Sequence, residues 1–235
     1  MVLNITANIQ KLSAKVQQYN FNTIFFLFFY LFIFSAPHIT IKNLYDFANL
    51  PKSAFVQTGT LFFLSIWLIN GLRFKKIEIR KSPFYMPLLL FFFWAFISII
   101  YAHNKYEGFI LWLHLVTCFF GFFLVLNILK DTNKAVLLLS AIFFSGCVTA
   151  IIGIGQSVFD ITWFLQVVKP AATFGNKNMA AQISVIVFPI GLCFVFISKR
   201  LVCSWIYIFS ICIVLAFLFF AKILIPSIYH SYVIF

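Results

Sequence analysis

Seven long apolar stretches divide this chain and constrain what it can fold into. They cover approximately 21–37, 54–72, 84–101, 109–129, 135–159, 179–198 and 202–221. Each is close to the ~20 residues that a helix needs to cross the hydrocarbon core of a bilayer. Because the runs are continuously apolar, they favour helices over the alternating strands of a transmembrane barrel. The sequence therefore predicts an all-α integral membrane protein, a polytopic bundle of about seven transmembrane helices.

Composition favours lipid as the solvent for most of the chain. Hydrophobic residues make up 63% and charged residues 9%, whereas soluble domains carry roughly 25% charged residues. The formal net charge of +12 would suggest nucleic acid as the partner of a soluble protein. Here the basic residues lie in short runs between apolar stretches, which is typical of membrane topology. We therefore predict a lipid bilayer, and not nucleic acid, as the partner.

The basic residues also predict an orientation. The connection 71–83 carries five of the 17 Lys and Arg residues, which are Arg73, Lys75, Lys76, Arg80 and Lys81. Cytoplasmic connections are enriched in Lys and Arg. Placing this connection in the cytoplasm puts the N-terminus there as well, and puts the connection 160–178 outside.

Residues 1–20 and 222–235 flank the transmembrane domain 21–221 and are not predicted to cross the membrane. In residues 1–20, Ile5, Ile9, Leu12, Val16 and Tyr19 recur at helical spacing with Lys11 and Lys15 between them. This pattern predicts a cytoplasmic amphipathic segment on the membrane surface, with a frayed polar tail as the alternative. Residues 222–235 are apolar but too short to cross a bilayer, and we interpret them as an atypical tail.

The spacing of the cysteines indicates no metal site and no disulfide framework, and the placement of the acids bears on transport. The five cysteines all lie inside or at the edge of apolar stretches, without CxxC or Cys/His spacing. The five acidic residues all fall in connections. Ion-coupled transporters usually keep a carboxylate at mid-membrane. That pattern disfavours a small-molecule transporter, which stays a third alternative.

The connection 160–178, DITWFLQVVKPAATFGNKN, is the least membrane-like stretch between two spans. Gly175 allows a turn with positive φ, and Asn176 or Asn178 can cap the helix that follows. With Lys169 and Lys177 close by, the start of that helix would attract an anion such as phosphate. A purely structural turn and N-cap is the alternative.

A motif in this connection resembles the O-antigen ligase and polymerase family. Residues 169–181 read Lys-Pro-Ala-Ala-Thr-Phe-Gly-Asn-Lys-Asn-Met-Ala-Ala. The family form is a basic residue, Thr-Phe-Gly-Asn-x-Asn, small residues and then a span with a proline, for which Pro189 fits. Residues 98–104, Ser-Ile-Ile-Tyr-Ala-His-Asn, match a second and looser family pattern.

The resemblance implies a membrane-embedded glycan transferase of the bacterial inner membrane. Such enzymes take a glycan from an undecaprenyl-pyrophosphate carrier at the periplasmic face. They pass it to lipid A core, a growing polymer or protein, with no metal or cofactor. Cations and backbone N–H groups would stabilise the pyrophosphate leaving group. The candidate substrate-binding residues are Lys169, which would bind a carrier phosphate, and Thr173, Asn176, Lys177, Asn178 and His103.

The resemblance covers only the N-terminal half of a typical family member. The family's Ser-Arg pair has no counterpart here, and neither does the large outside loop that carries the family's acting residues. No catalytic residue is therefore assigned, and whether the chain is an enzyme stays open. We expect a truncated family member. The alternative is a non-catalytic membrane remnant or a structural partner in a polysaccharide assembly complex.

Four polar residues within spans have structural interpretations. His114 is expected to be neutral and hydrogen-bonded to a neighbouring helix, with a functional role as the alternative. Gln156 and Gln182 are expected to bond between helices. Asn127 is a further polar group that a transport pathway could use.

Overall fold

The fold is a bundle of α-helices, described by a computed structural model over residues 21–74, 77, 79–129, 131–161, 163–167 and 169–221. No β-strand occurs in these ranges. The helices are α1 (Phe21–His38), α2 (Asn49–Arg73), α3 (Tyr85–Ser98, continued by a 3₁₀ turn Ile99–Tyr101), α4 (Lys105–Ile128), α5 (Thr132–Val158), α6 (Lys177–Ile197) and α7 (Leu201–Phe220). The predictions for 1–20 and 222–235 fall outside the described residues.

The predicted membrane bundle is confirmed. Six of the helices are long and apolar enough to cross a bilayer, and α3 is a shorter apolar helix. Large apolar side chains cover the outer faces, and Trp94 and Phe196 are 73% and 85% exposed. Such a surface would be unstable in water but is suited to lipid. The chain is therefore a multi-pass membrane protein.

Helices α2 and α4 begin five and four residues before their predicted apolar stretches, because polar caps extend them. For α2, Asp46 Oδ1 accepts hydrogen bonds from Ala48 N at 3.3 Å and Asn49 N at 2.8 Å. For α4, Asn104 Oδ1 accepts from Glu107 N at 3.2 Å. A side chain that satisfies the unpaired N-terminal amides stabilises a first turn that lies outside the apolar window.

The helices pack as two groups that meet along α1 and α5. In the first group, α4 packs against both α2 and α3. Aromatic rings join α1 to α2, with the Phe63 centroid 5.2 Å from those of Phe29 and Phe32. Helices α5, α6 and α7 form the second group, around the buried rings of Phe143 and Phe217.

Polar contacts identify the two ends of the bundle. In the N-terminal halves of the two helices, α4 bonds to α2 through Gln57 Nε2 and His114 Nδ1, 3.1 Å apart. At the opposite end, Arg80 donates its backbone N–H to Asn127 Oδ1 at 2.9 Å and Nη1 to Leu129 O at 2.7 Å. We call the end that carries the connections 39–48, 102–104 and 159–176 the loop end.

Glycines allow close approach within the second group. A Cβ atom at Gly153 would collide with the ring of Phe217, which is fully buried. Small residues at helix interfaces commonly serve this purpose in membranes. Gly153 is therefore a close-packing residue between α5 and α7.

Replacing Gly153 by alanine is expected to destabilise the α5–α7 contact by about 1–3 kcal/mol, the usual cost of overpacking. Thermal unfolding of the purified protein in detergent measures the effect. Gly108→Ala is the matched control, because its added Cβ would meet nothing closer than 3.6 Å. Equal stabilities for the two variants would contradict the packing account.

Candidate functional site

The connection between α5 and α6 is a hydrogen-bonded loop. Phe174 N donates to Ala171 O at 2.9 Å, and Val167 N donates to Gly175 O at 2.9 Å. Gly175 has φ +71°, and a Cβ there would lie 2.9 Å from the ring of Phe47. Its missing side chain therefore allows both the turn and the close approach of the α1–α2 connection.

Gln156 holds the loop from inside the bundle. Its side chain, 1% exposed, donates from Nε2 to Ala172 O at 2.8 Å. Ala172 N donates to Gln156 Oε1 at 2.6 Å. One amide side chain therefore satisfies both backbone groups of a fully buried residue whose φ is +49°. The expected bond from Gln156 to another helix is thus replaced by a bond to the loop.

Thr173 ties the loop to the end of α1. Its side chain is 1% exposed, and Oγ1 donates to Pro37 O at 2.7 Å. Since this hydroxyl is used within the protein, the predicted substrate-binding residue Thr173 has a structural role here. Its contribution to a ligand would come through the shape of the loop.

Lys52 ties the same loop to the start of α2. Its ammonium donates to Thr173 O and, at 3.1 Å, to Ala48 O. It also lies 4.8 Å from the ring centroid of Phe174, within cation–π range. The sequence pattern gave no signal for this role. We call Lys52, Gln156 and Thr173 the junction residues.

A further contact beside the junction residues is made by His38, in the last turn of α1. Its Nε2 lies 3.1 Å from Ser145 Oγ, and Ser145 Oγ donates to Phe34 O at 2.8 Å. Because the serine proton goes to Phe34, the histidine donates and Ser145 accepts. His38 Nδ1 is buried and has no partner among the described residues. The end of α1 is therefore attached to α5 as well as to the loop.

The loop ends at the capped start of α6. The sequence left two cap candidates, and the structure selects Asn176, whose Oδ1 accepts from Asn178 N at 2.9 Å. Ala180 N donates to Asn176 O at 3.2 Å. No bond from Lys177 N or Met179 N occurs among the loop and cap hydrogen bonds of the described residues, as expected for the first turn of a helix. Since Lys177 is half-buried and Asn178 is exposed, this end of α6 offers donors and positive charge to a ligand.

Lys169 lies elsewhere on the loop. Its Nζ is 3.1 Å from Asp160 Oδ1, and the two side chains are 55% and 85% exposed. Such an exposed ion pair contributes little stability, so an anion could displace Asp160. No contact joins Lys169 to Lys177 or Asn178 within the described part of the chain.

His103 lies in the α3–α4 connection and is exposed. No hydrogen bond, ion pair or ring contact joins it to the described residues of the 159–176 loop. Its neighbour Asn104 caps α4 and also donates from Nδ2 to Glu107 Oε2 at 3.3 Å. The structure thus groups Thr173, Asn176, Lys177 and Asn178, and leaves His103 apart.

Of the other polar span residues with predicted roles, His114 and Asn127 have hydrogen-bond partners. The hydrogen bond between His114 and Gln57 confirms the predicted contact with a neighbouring helix. Asn127 holds Arg80 rather than lining a pathway. Gln182 is exposed and makes no hydrogen bond in the described structure, so the predicted helix–helix bond of Gln182 is wrong.

Comparisons with protein-family models, with curated proteins and with solved structures find no match to this chain.

Proposed function

We propose that this chain is an O-antigen ligase-like membrane glycan transferase, or part of one, that binds an undecaprenyl-pyrophosphate-linked glycan at its loop end. The support is the resemblance of residues 169–181 to the family motif, together with the chemistry of the place where that motif lies. The acceptor would be lipid A core, a polymer or protein. The bacterial inner membrane is part of the proposal because of the resemblance, and the cytoplasmic N-terminus because of the distribution of Lys and Arg.

One observation carries the proposal, namely that Lys177 lies beside first-turn amides of α6 that make no hydrogen bond to the described loop residues. A pyrophosphate is a multiply charged anion, and a helix N-terminus with a cation is suited to it. Lys177 and Asn178 would contact the carrier or its first sugar. Asn176 would hold the first turn, and Thr173 would set the loop beneath it.

Lys169 would take part only after exchanging Asp160 for a phosphate. Both side chains are exposed, so little energy opposes the exchange. The role first expected for Lys169 therefore becomes secondary to that of Lys177. His103 would need a ligand long enough to extend from α6 to the α3–α4 connection, such as the glycan itself.

Replacing Lys177 by alanine is expected to weaken the binding of undecaprenyl pyrophosphate about tenfold. Hydrogen bonds to charged groups contribute ~1.5–3 kcal/mol, and ~1.4 kcal/mol corresponds to a factor of ten. Titration of the detergent-purified chain with this lipid measures the change. The control is Lys199→Ala, an exposed lysine in the α6–α7 connection at the opposite end. Similar affinities for both variants and the wild type would argue against the site.

Binding and transfer are tested separately. The chain is expressed in a bacterial strain without its own O-antigen ligase, and its membrane insertion is confirmed. A full-length relative serves as the positive control for a matching glycan. Restored long-chain lipopolysaccharide supports a transferase, whereas lipid binding without restoration supports the non-catalytic partner.

A further inference from the structure

A groove of about 550 Å³ runs between α1 and α2 on the outer surface of the bundle. Its walls are almost entirely apolar and include Phe28, Phe32, Ser35, Phe55, Thr58 and Phe62. From Phe28 to Ser35 the groove extends about 10 Å along α1, at ~1.5 Å per residue. It therefore runs from mid-helix to the loop end. Its dimensions and lining suit one hydrocarbon chain lying along the helices.

The depth of the groove depends on Gly59. A Cβ atom at this position would collide with the ring of Phe32. The glycine lets the two helices approach while the ring forms part of the floor. Since Thr58 is exposed and lines the same groove, a larger side chain there would fill the groove without changing that contact.

A cation lies at the loop end of the groove. Lys52 precedes Phe55 by three residues and Gly59 by seven, so helical periodicity places all three on one face of α2. Within the described residues, Lys52 forms no ion pair with a carboxylate. The nearest acid along the chain, Asp46, uses Oδ1 to cap the amides of Ala48 and Asn49.

We propose that the α1–α2 groove binds one acyl chain of an anionic phospholipid, whose phosphate lies at Lys52. The apolar walls accept the chain, and the Lys52 ammonium one turn beyond the groove, which donates to Ala48 O and Thr173 O, keeps a third N–H for the phosphate. A cation at the edge of the hydrocarbon region attracts anionic lipid headgroups. The proposal does not depend on the carrier-lipid assignment, because none of the residues that line the groove belongs to the loop or to the start of α6.

Native mass spectrometry of the full chain, released from bilayers with equal amounts of phosphatidylglycerol and phosphatidylcholine, tests this site. We expect the wild type to retain phosphatidylglycerol preferentially. Thr58→Trp should reduce that retention at least tenfold by filling the groove. Leu61→Trp is the matched control, because Leu61 is exposed on α2 but does not line the groove.

Lys52→Gln should keep a lipid in the groove but lose the preference for phosphatidylglycerol. Circular dichroism and thermal unfolding confirm that each variant is folded, and Ser35→Phe fills the opposite wall if Thr58→Trp does not fold. Equal retention of the two phospholipids by the wild type, or undiminished retention by the folded groove-filling variant, would overturn the proposal. Displacement of phosphatidylglycerol by an equal amount of undecaprenyl phosphate would assign the groove to a carrier lipid instead.

Discussion

Replacing Gln156 by leucine is expected to lower the free energy of unfolding by about 2–6 kcal/mol. Leucine has a similar volume but cannot bond to Ala172, which is 0% exposed. The buried N–H and C=O of Ala172 would both lose their partners. Each unsatisfied buried group costs about 1–3 kcal/mol. Thermal or denaturant unfolding of the purified protein in detergent measures the loss.

Gln182→Leu provides the matched control. This glutamine, on α6, is exposed and makes no hydrogen bond in the described structure, so its replacement should change stability by less than about 0.5 kcal/mol. The same substitution is thus made once where the amide is buried and holds the loop, and once where the amide is exposed and holds nothing in the described structure. If both substitutions were neutral, the contact between Gln156 and the loop would have no energetic importance.

Replacing Thr173 by valine is the second large effect, with an expected loss of about 1–3 kcal/mol. Valine keeps the shape of the side chain but removes the hydroxyl that donates to Pro37 O. That carbonyl, at the end of α1, loses a hydrogen bond in a partly buried setting. The loop should also become more mobile next to α6. The affinity for undecaprenyl pyrophosphate should therefore fall together with the stability.

Thr149→Val separates this effect from the general cost of removing a buried hydroxyl. Thr149 is 0% exposed, and its Oγ1 donates to Ser145 O in its own helix at 3.1 Å. That carbonyl keeps its backbone partner when the hydroxyl is removed. We expect a smaller loss of stability and unchanged lipid affinity. Equal effects on affinity in the two variants would show that the contact with Pro37 does not position the loop.

The spans could be predicted from the sequence because lipid imposes a simple rule. A segment that crosses a bilayer must be apolar and helical over ~20 residues. The predicted ranges 179–198 and 202–221 therefore lie within two residues of α6 and α7. The starts of α2 and α4 were less accurate, because Asp46 and Asn104 extend those helices into polar sequence.

The local chemistry of the candidate site could also be predicted. Gly175 adopts positive φ, and an asparagine caps α6 as expected. These features depend on residues that are neighbours in the chain. The sequence did not distinguish Asn176 from Asn178 as the cap, since either side chain could accept a backbone N–H. The structure identifies Asn176.

The junction could not be predicted, because its contacts join distant parts of the chain. Lys52 is 121 residues from Thr173, and Thr173 is 136 residues from Pro37. Periodicity and composition carry no information about such pairs. Gln156 gave a partial signal, since a buried amide in a span needs a partner, but nothing in the sequence indicated that the partner was Ala172.

Amide hydrogen exchange at the loop end measures whether the junction residues hold the loop and so position the start of α6. Peptides covering 171–176 are compared in wild type, Gln156→Leu and Gln182→Leu, with the undecaprenyl pyrophosphate affinity of each. We predict slow exchange of the Ala172 and Phe174 amides in the wild type and in Gln182→Leu. Fast exchange and weaker lipid binding are predicted for Gln156→Leu. Fast exchange of these amides in the wild type, or unchanged exchange in Gln156→Leu, would show that Gln156 does not hold the loop.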